Sequence, residues 1–446
     1  MSLDLEADQS PLTRPEELLR YFAEGERPRE RHLVGLEHEK FVYPQGGHRA
    51  IAYIGPQGIG ALLDRIEGVG VGYRAHREYD DGPAIALIKD RATVSLEPGG
   101  QLELSGTPFR TARECHAENL AHLEDVRRAC EPLGLRPVAL GYRPFDVRDQ
   151  MPWMPKMRYG SMRLSLPKRG NLALNMMLMT ATGQVNLDWA DEADCARKVT
   201  ASARLAPLLV ALYANSPLVE GKPSGFLSYR SHVWTDVDPT RCGFIPSMLD
   251  GSFSYRSYAE WALDAPLLFL RRGGRYLRPE LTFRQLMQQG WDGKPPNLGD
   301  WVDHLSTLFP EVRIKKVMEV RSADGVNAAL TGALPALWRG LLYDESALTD
   351  ALTLLPPMTF AEHAELMAVA RRDGLRGQWR NVRVGEMAKQ MVLLAREGLK
   401  RLGGDDASLL DPLEELARSG KTLAERVLED FAADPDPARL LERNAL

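Results

Sequence analysis

Hydrophobic and polar residues alternate one by one in four short stretches of this chain, and a period of two marks extended strands. In TVSLEPGGQLELSG, residues 93–106, the apolar Val94, Leu96, Leu102 and Leu104 fall on one face, while Pro98-Gly99-Gly100 supplies a bend. Pairing Glu97 with Gln101 across that bend sets Ser95 opposite Glu103 and gathers all four on the other face. GLEHEKF repeats the design with Glu37 and Glu39, GQVNLDW with Gln184, Asn186 and Asp188, and KVMEVRSAD with Glu319 and Arg321 opposite Met318 and Val320. Taken singly, each stretch reads as an ordinary half-exposed strand with a wet face. Taken together, they predict a curved sheet whose concave face is lined with carboxylates, amides and arginines.

Helical periodicity marks the segments between and after these strands. SPLTRPEELLRYFAEG predicts a first helix with Thr13 as its N-cap and Pro15 early in it. GPQGIGALLDRIEG, TARECHAENLAHLEDVRRACEPLG and the stretch from Glu192 to Ala214 predict three more. The last 110 residues or so read as mostly helical, and residues 145–170, rich in Pro, Met and Arg, read as a long loop able to cover a site. The class expected is α+β. Residues 1–10 are expected as a flexible tail and 11–446 as a single catalytic unit, sheet-rich over 33–325 and mainly helical over 335–446.

Composition narrows the classes of function. Of 446 residues, 44% are hydrophobic and 26% charged, an ordinary globular balance, and the net charge of -5 gives no electrostatic reason to bind nucleic acid. No apolar run approaches a membrane span, and the acidic start lacks a secretory pattern. Cys115, Cys130, Cys195 and Cys242 are widely spaced, without a C-x-x-C pair, which fits a reduced, cytoplasmic protein.

The acidic face carries the chemistry. Crowded carboxylates repel, so their pKa values rise unless cations neutralise them. Hard oxygen ligands without a Cys or His cluster suit magnesium or manganese, and bound magnesium keeps open positions for phosphate oxygens. Rival motifs fall away. ARSGKT, residues 417–422, ends like a phosphate loop but has Glu415 where that motif needs Gly and follows a helical segment; GVGVGY and GPQGIG lack dinucleotide-binding spacing. No G-x-S-x-G or H-E-x-x-H occurs, and His38, between Glu37 and Glu39, faces away from them on a regular strand.

GLEHEKF, VSLEPGGQLELSG, MPKMRYGSMR, GQVNLDWADEADCARK, ANSPLVEGKPSGFLSYRSHVWTDVD, LTFRQ, FPEVRIKKVMEVRSADG and ALPALWRGLLYD follow one another from residue 33 to 345. In that series the chain resembles the glutamate–cysteine ligases of the plant and proteobacterial type. The resemblance implies a glutamine-synthetase-like antiparallel sheet folded into a funnel, and ATP-dependent joining of L-glutamate to L-cysteine through γ-glutamyl phosphate, the first step of glutathione synthesis. It implies Glu37, Glu39, Glu97, Glu103 and Glu319 as magnesium ligands, with Gln184 near the reacting groups. Arg230 would grip the α-carboxylate of glutamate, Trp234 would wall that pocket, Arg321 would face the transferred phosphoryl group, and Arg284 would serve the same anionic region. Ala181 stands where plant members carry a regulatory Cys, so a thiol switch of that kind is not expected. The partners implied are small molecules, without nucleic acid or membrane, around a monomer or homodimer. Two alternatives stay open: a γ-glutamyl ligase for another amine, and a non-catalytic metal- or nucleotide-binding relative.

Overall fold

The structure is a computed structural model describing residues 9–355 and 357–446, so most of the expected N-terminal tail lies outside the described residues. Among the described residues, nine strands form one antiparallel sheet: β1 (Val34–Pro44), β2 (Arg74–Arg77), β3 (Ala84–Lys89), β4 (Ala92–Leu96), β5 (Leu102–Ser105), β6 (Leu135–Val138), β7 (Thr182–Leu187), β8 (Val312–Ile314) and β9 (Met318–Asp324). Their order is β8-β9-β7-β1-β5-β4-β3-β2, with β6 pairing the far end of β1. All four patterned stretches thus belong to one sheet, and an α+β architecture built on it is what the alternation predicts.

Register follows the hydrophobic pattern, because a slip of one residue would turn every carboxylate into the core. Ser95 pairs with Glu103, and the Glu97 amide donates to the Gln101 carbonyl at 2.9 Å, closing the hairpin over Pro98-Gly99-Gly100. Both glycines are required there. Gly100 has φ +81°, and a Cβ on Gly99 would lie 2.2 Å from the Leu178 carbonyl oxygen.

Behind the sheet lies the helix Ala112–Cys130, capped by Thr111, whose hydroxyl accepts the Glu114 amide. His38 donates from Nδ1 to Asn119 on that helix at 3.0 Å, and Lys40 donates to His122 at 3.0 Å, so β1 turns these residues away from its glutamates as alternation requires. On the other flank, the helices Glu192–Leu212, Ala328–Leu342 and Val384–Leu402 share a core with Val185, Leu187 and Trp189. Trp189 is fully buried, and its indole N–H donates to Tyr255 at 2.6 Å. No helix among the described residues is long and apolar enough to cross a membrane.

Three local expectations are corrected. The first helix, Pro15–Ala23, is capped at Arg14 rather than Thr13, because Glu17 reaches back to accept both the Thr13 and Arg14 amides. Residues 145–170 are not one long loop, since they include the helix Met157–Ser165, which buries Tyr159 and Met162. Asp188 lies just past the end of β7 and accepts the Leu33 amide at 2.8 Å instead of joining the acidic face. As expected, ARSGKT is no phosphate loop: it joins the helix Asp411–Ser419 to Leu423–Ala433 through left-handed Gly420.

Candidate active site

β1 and β5 put Glu39 directly across from Glu103, β1 and β7 put Glu37 across from Gln184, and β9 sets Glu319 across from Asn186. A basin opens over these positions, lined by Glu37, Glu39, Glu97, Glu103, Gln184 and Arg321, with Lys156, Arg158, Arg313 and Lys315 on its walls. A side pocket shares Glu39, Glu97 and Arg321 with it and continues to Thr182, Arg230 and Trp234. Nine of the ten site residues expected from sequence therefore line this basin or its side pocket, or are bonded into it.

The electrostatics divide the acidic residues in two. Burial, then repulsion from Glu37 and Glu97, pushes Glu103 up to about 8. Burial, then Glu103 and Glu97, raises Glu39 well above the carboxylate range, and burial raises Glu97 against the pull of Lys156 and Arg158. Glu319 behaves oppositely. Burial would raise it, but Arg313, Lys315 and Arg321 outweigh that and hold it well below the usual range. Arg313 binds it through two guanidinium nitrogens at 2.6 and 3.2 Å, Lys315 stands 3.3 Å away, and Arg321 donates to it as well as to Gln184. Glu319 is thus an ion-paired anchor here, whereas at Glu39, Glu97 and Glu103 burial outweighs the pull of the nearby cations.

Three glutamates with raised pKa values, Glu39, Glu97 and Glu103, form a buried oxygen donor set of the kind a hard divalent cation satisfies, and Glu37 stands beside them. As placed, no three acidic, histidine or cysteine side chains among the described residues close around a common point at ligating distance.

Arg230 is 3% exposed, and its Nη2 donates to the Arg321 carbonyl at 2.9 Å, yet its Nε has no partner. Among the described residues no carboxylate lies within ion-pairing distance of it. A buried guanidinium left this way costs several kcal/mol, on the order of 3–5 kcal/mol for a broken buried pair, unless a ligand supplies the anion. The indole N–H of Trp234, in the same pocket, is also buried without a partner.

Arg284 is not brought to this site. It projects from the helix Phe283–Gln289 and pairs with Glu260 at 2.7 Å and Asp264 at 2.6 Å, with its side chain 36% exposed. The arginine in LTFRQ directly follows the buried Phe283, and spacing alone does not show which way such a side chain turns. Sequence reasoning passed over Lys156, Arg158, Arg313 and Lys315, although MPKMRYGSMR and FPEVRIKK contain them. Lys156 and Arg158 sit at the start of a short helix and Arg313 and Lys315 in and just past a three-residue strand, elements too short to show a period, so nothing local tied them to the carboxylates.

The model of glutamate-cysteine ligase family 2 (GCS2) matches residues 33–442. The glutamate–cysteine ligase, chloroplastic, of Brassica juncea is 40% identical over 425 residues, spanning 94% of this chain and 81% of its own length, and that of Arabidopsis thaliana is 40% identical over 94% and 80%. Their names overturn the expectation of a cytoplasmic protein, since these plant relatives are chloroplastic. A solved structure, glutamate–cysteine ligase of Francisella tularensis in complex with AMP, shares the fold with a TM-score of 0.57 at 12% identity, over 93% of this chain and 87% of that one. With the family match running from residue 33, just before β1, to the C-terminal helices, and relatives 40% identical over 94% of the chain, this chain belongs to glutamate–cysteine ligase family 2.

Proposed function

We propose that this protein joins the γ-carboxylate of L-glutamate to the amine of L-cysteine at the expense of ATP, through γ-glutamyl phosphate, in the first step of glutathione synthesis. The observation that carries this reading is the buried guanidinium of Arg230, its Nε without a partner and no carboxylate paired to it among the described residues, opening onto the same space as the crowded glutamates whose pKa values are raised. One part seeks an anion and the other seeks cations, as a site for an anionic amino acid beside a metal-bound polyphosphate must.

Arg230 holds the α-carboxylate of glutamate in its planar fork, and Trp234 walls the side chain. This points the γ-carboxylate toward Glu39, Glu97 and Arg321. Glu37, Glu39, Glu97 and Glu103 would hold magnesium, which when bound offsets the negative charge gathered by the phosphates and the carboxylate. Glu319 keeps its place as the anchor of Arg321, whose head Gln184 also fixes, so that the guanidinium faces the moving phosphoryl group. Lys156, Arg158 and Lys315 supply positive charge along the basin for the polyphosphate. The γ-carboxylate attacks the terminal phosphorus and ADP leaves; the cysteine amine then attacks the acyl carbon, loses a proton, and phosphate departs with one of the original carboxylate oxygens.

The test is ADP release with magnesium, ATP and L-glutamate, adding candidate amines in turn and weighing the products. Cysteine-dependent ADP release with γ-glutamylcysteine as product is expected. Preference for another amine would move the acceptor, and ADP release independent of any amine would remove the ligase reading.

A further inference from the structure

The segment carrying Arg230 is tied to the catalytic sheet at one buried carboxylate. Asp324, the last residue of β9 and 1% exposed, accepts the Ser216 hydroxyl at 2.6 Å and the Asn215 amide at 2.9 Å on Oδ2, and the Ser228 hydroxyl at 2.8 Å on Oδ1. Each hydroxyl passes the connection on. Ser216 Oγ accepts the backbone N–H of Arg230 at 3.0 Å, and Ser228 caps the helix Tyr229–Val233 by accepting the Ser231 amide at 3.2 Å. Arg230 closes the loop by donating from Nη2 to the carbonyl of Arg321, three residues before Asp324 on β9. A Cβ on Gly141 would come within 2.5 Å of the Asp324 Cγ, so the carboxylate is confined from that side too.

We infer that Asp324 is a positioning residue for glutamate binding: through Ser216 and Ser228 it fixes Arg230 at a set offset from Arg321, and its charge balances the Arg230 guanidinium without occupying it. The inference rests on Arg230 being the glutamate-binding residue. Asp324 is the strongest opposing charge acting on Arg230, yet the two are not within ion-pairing distance. A direct pair would consume the donors that the substrate needs; because the two serine hydroxyls tie Asp324 to the backbone amides of Arg230 and Ser231 instead, the guanidinium Nε is left without a partner. Buried networks of this kind hold one geometry because any loosened member leaves unsatisfied donors behind.

The experiment compares Asp324→Asn, Arg230→Ala and the double variant in the full-length protein, reading the Michaelis constants for glutamate and ATP, kcat and thermal stability. Asp324→Asn keeps the shape but replaces an acceptor by a donor and removes the charge. It is expected to raise the glutamate constant by about tenfold while moving the ATP constant less than about twofold, and to add less than about twofold once Arg230 is already Ala. Independent effects that multiply in the double variant, or equal rises in both constants, would overturn the inference. An unchanged glutamate constant in Arg230→Ala alone would overturn the underlying reading and the inference with it, which separates the two failures. Should Asp324→Asn not fold, Ser216→Ala, which retains the charge and the Ser228 bond, is expected to raise the glutamate constant by about threefold or more with the ATP constant steady; no such rise would overturn the inference.

Discussion

Glu39 stands directly opposite Glu103 in the β1–β5 ladder, so two carboxylates share one cross-strand position on the basin floor. Like charges so placed destabilise a sheet, and burial adds to the cost. Glu103, pushed up to about 8, and Glu39, raised well above the usual carboxylate range, therefore tend to hold protons that a bound cation would displace.

The sign of the pH effect follows. A carboxyl group whose folded pKa is raised gives stability that is complete below its unfolded value near 4.5 and is lost as pH climbs through the folded value near 8. Metal-free protein is expected to melt at a lower temperature at pH 8.5 than at pH 6, and saturating magnesium is expected to raise the melting temperature more at pH 8.5. Calorimetry at both values checks this, and an equal magnesium effect at the two would count against metal binding at these glutamates.

Glu103→Gln removes one of these charges with little change of volume. The metal-free variant is expected to be more stable than the parent at pH 8.5, to gain less from magnesium, and to turn over at least about a hundredfold more slowly. Steady-state kinetics beside a melting curve separate loss of chemistry from loss of fold. Near-normal turnover at low magnesium would take Glu103 out of the metal set.

Arg230→Ala deletes the buried guanidinium whose Nε has no partner. The Michaelis constant for glutamate is expected to rise by at least about tenfold and that for ATP by less than about twofold, since only uniform binding of one substrate is lost. Initial rates with each substrate varied in turn measure both.

Alternation made the sheet legible in the sequence. The Thr93–Gly106 hairpin and KVMEVRSAD carry apolar residues at every second place, and GLEHEKF sets its two glutamates two residues apart, so the facing of Glu37, Glu39, Glu103, Glu319 and Arg321 could be read from them, and His38 was correctly turned to the other face. Asp188 escaped because a period of two continues on paper past the residue where β7 ends. Glu319 shows a different limit. Its place on the acidic face was legible, but its neutralisation by Arg313 and Lys315 arises from a tight β8–β9 pairing that sets Arg313 opposite it. Asp324 was invisible as a hub, because its partners Asn215, Ser216 and Ser228 lie about a hundred residues away in sequence.

Arg284 supplies a contrasting prediction. Its partners Glu260 and Asp264 are both exposed, and surface pairs contribute about 0–1 kcal/mol. Arg284→Ala is expected to leave both Michaelis constants and kcat within about twofold and to lower stability by no more than about 1 kcal/mol. A selective loss of turnover in this variant would restore it to the site.

The central claim, that the glutamate γ-carboxylate is phosphorylated before cysteine attacks it, is tested most directly by isotope transfer. L-Glutamate labelled with oxygen-18 in its γ-carboxylate is incubated with the protein, magnesium, ATP and L-cysteine, and the released phosphate is weighed by mass spectrometry. The account predicts one labelled oxygen in each phosphate formed with γ-glutamylcysteine; phosphate free of label alongside that product would contradict it.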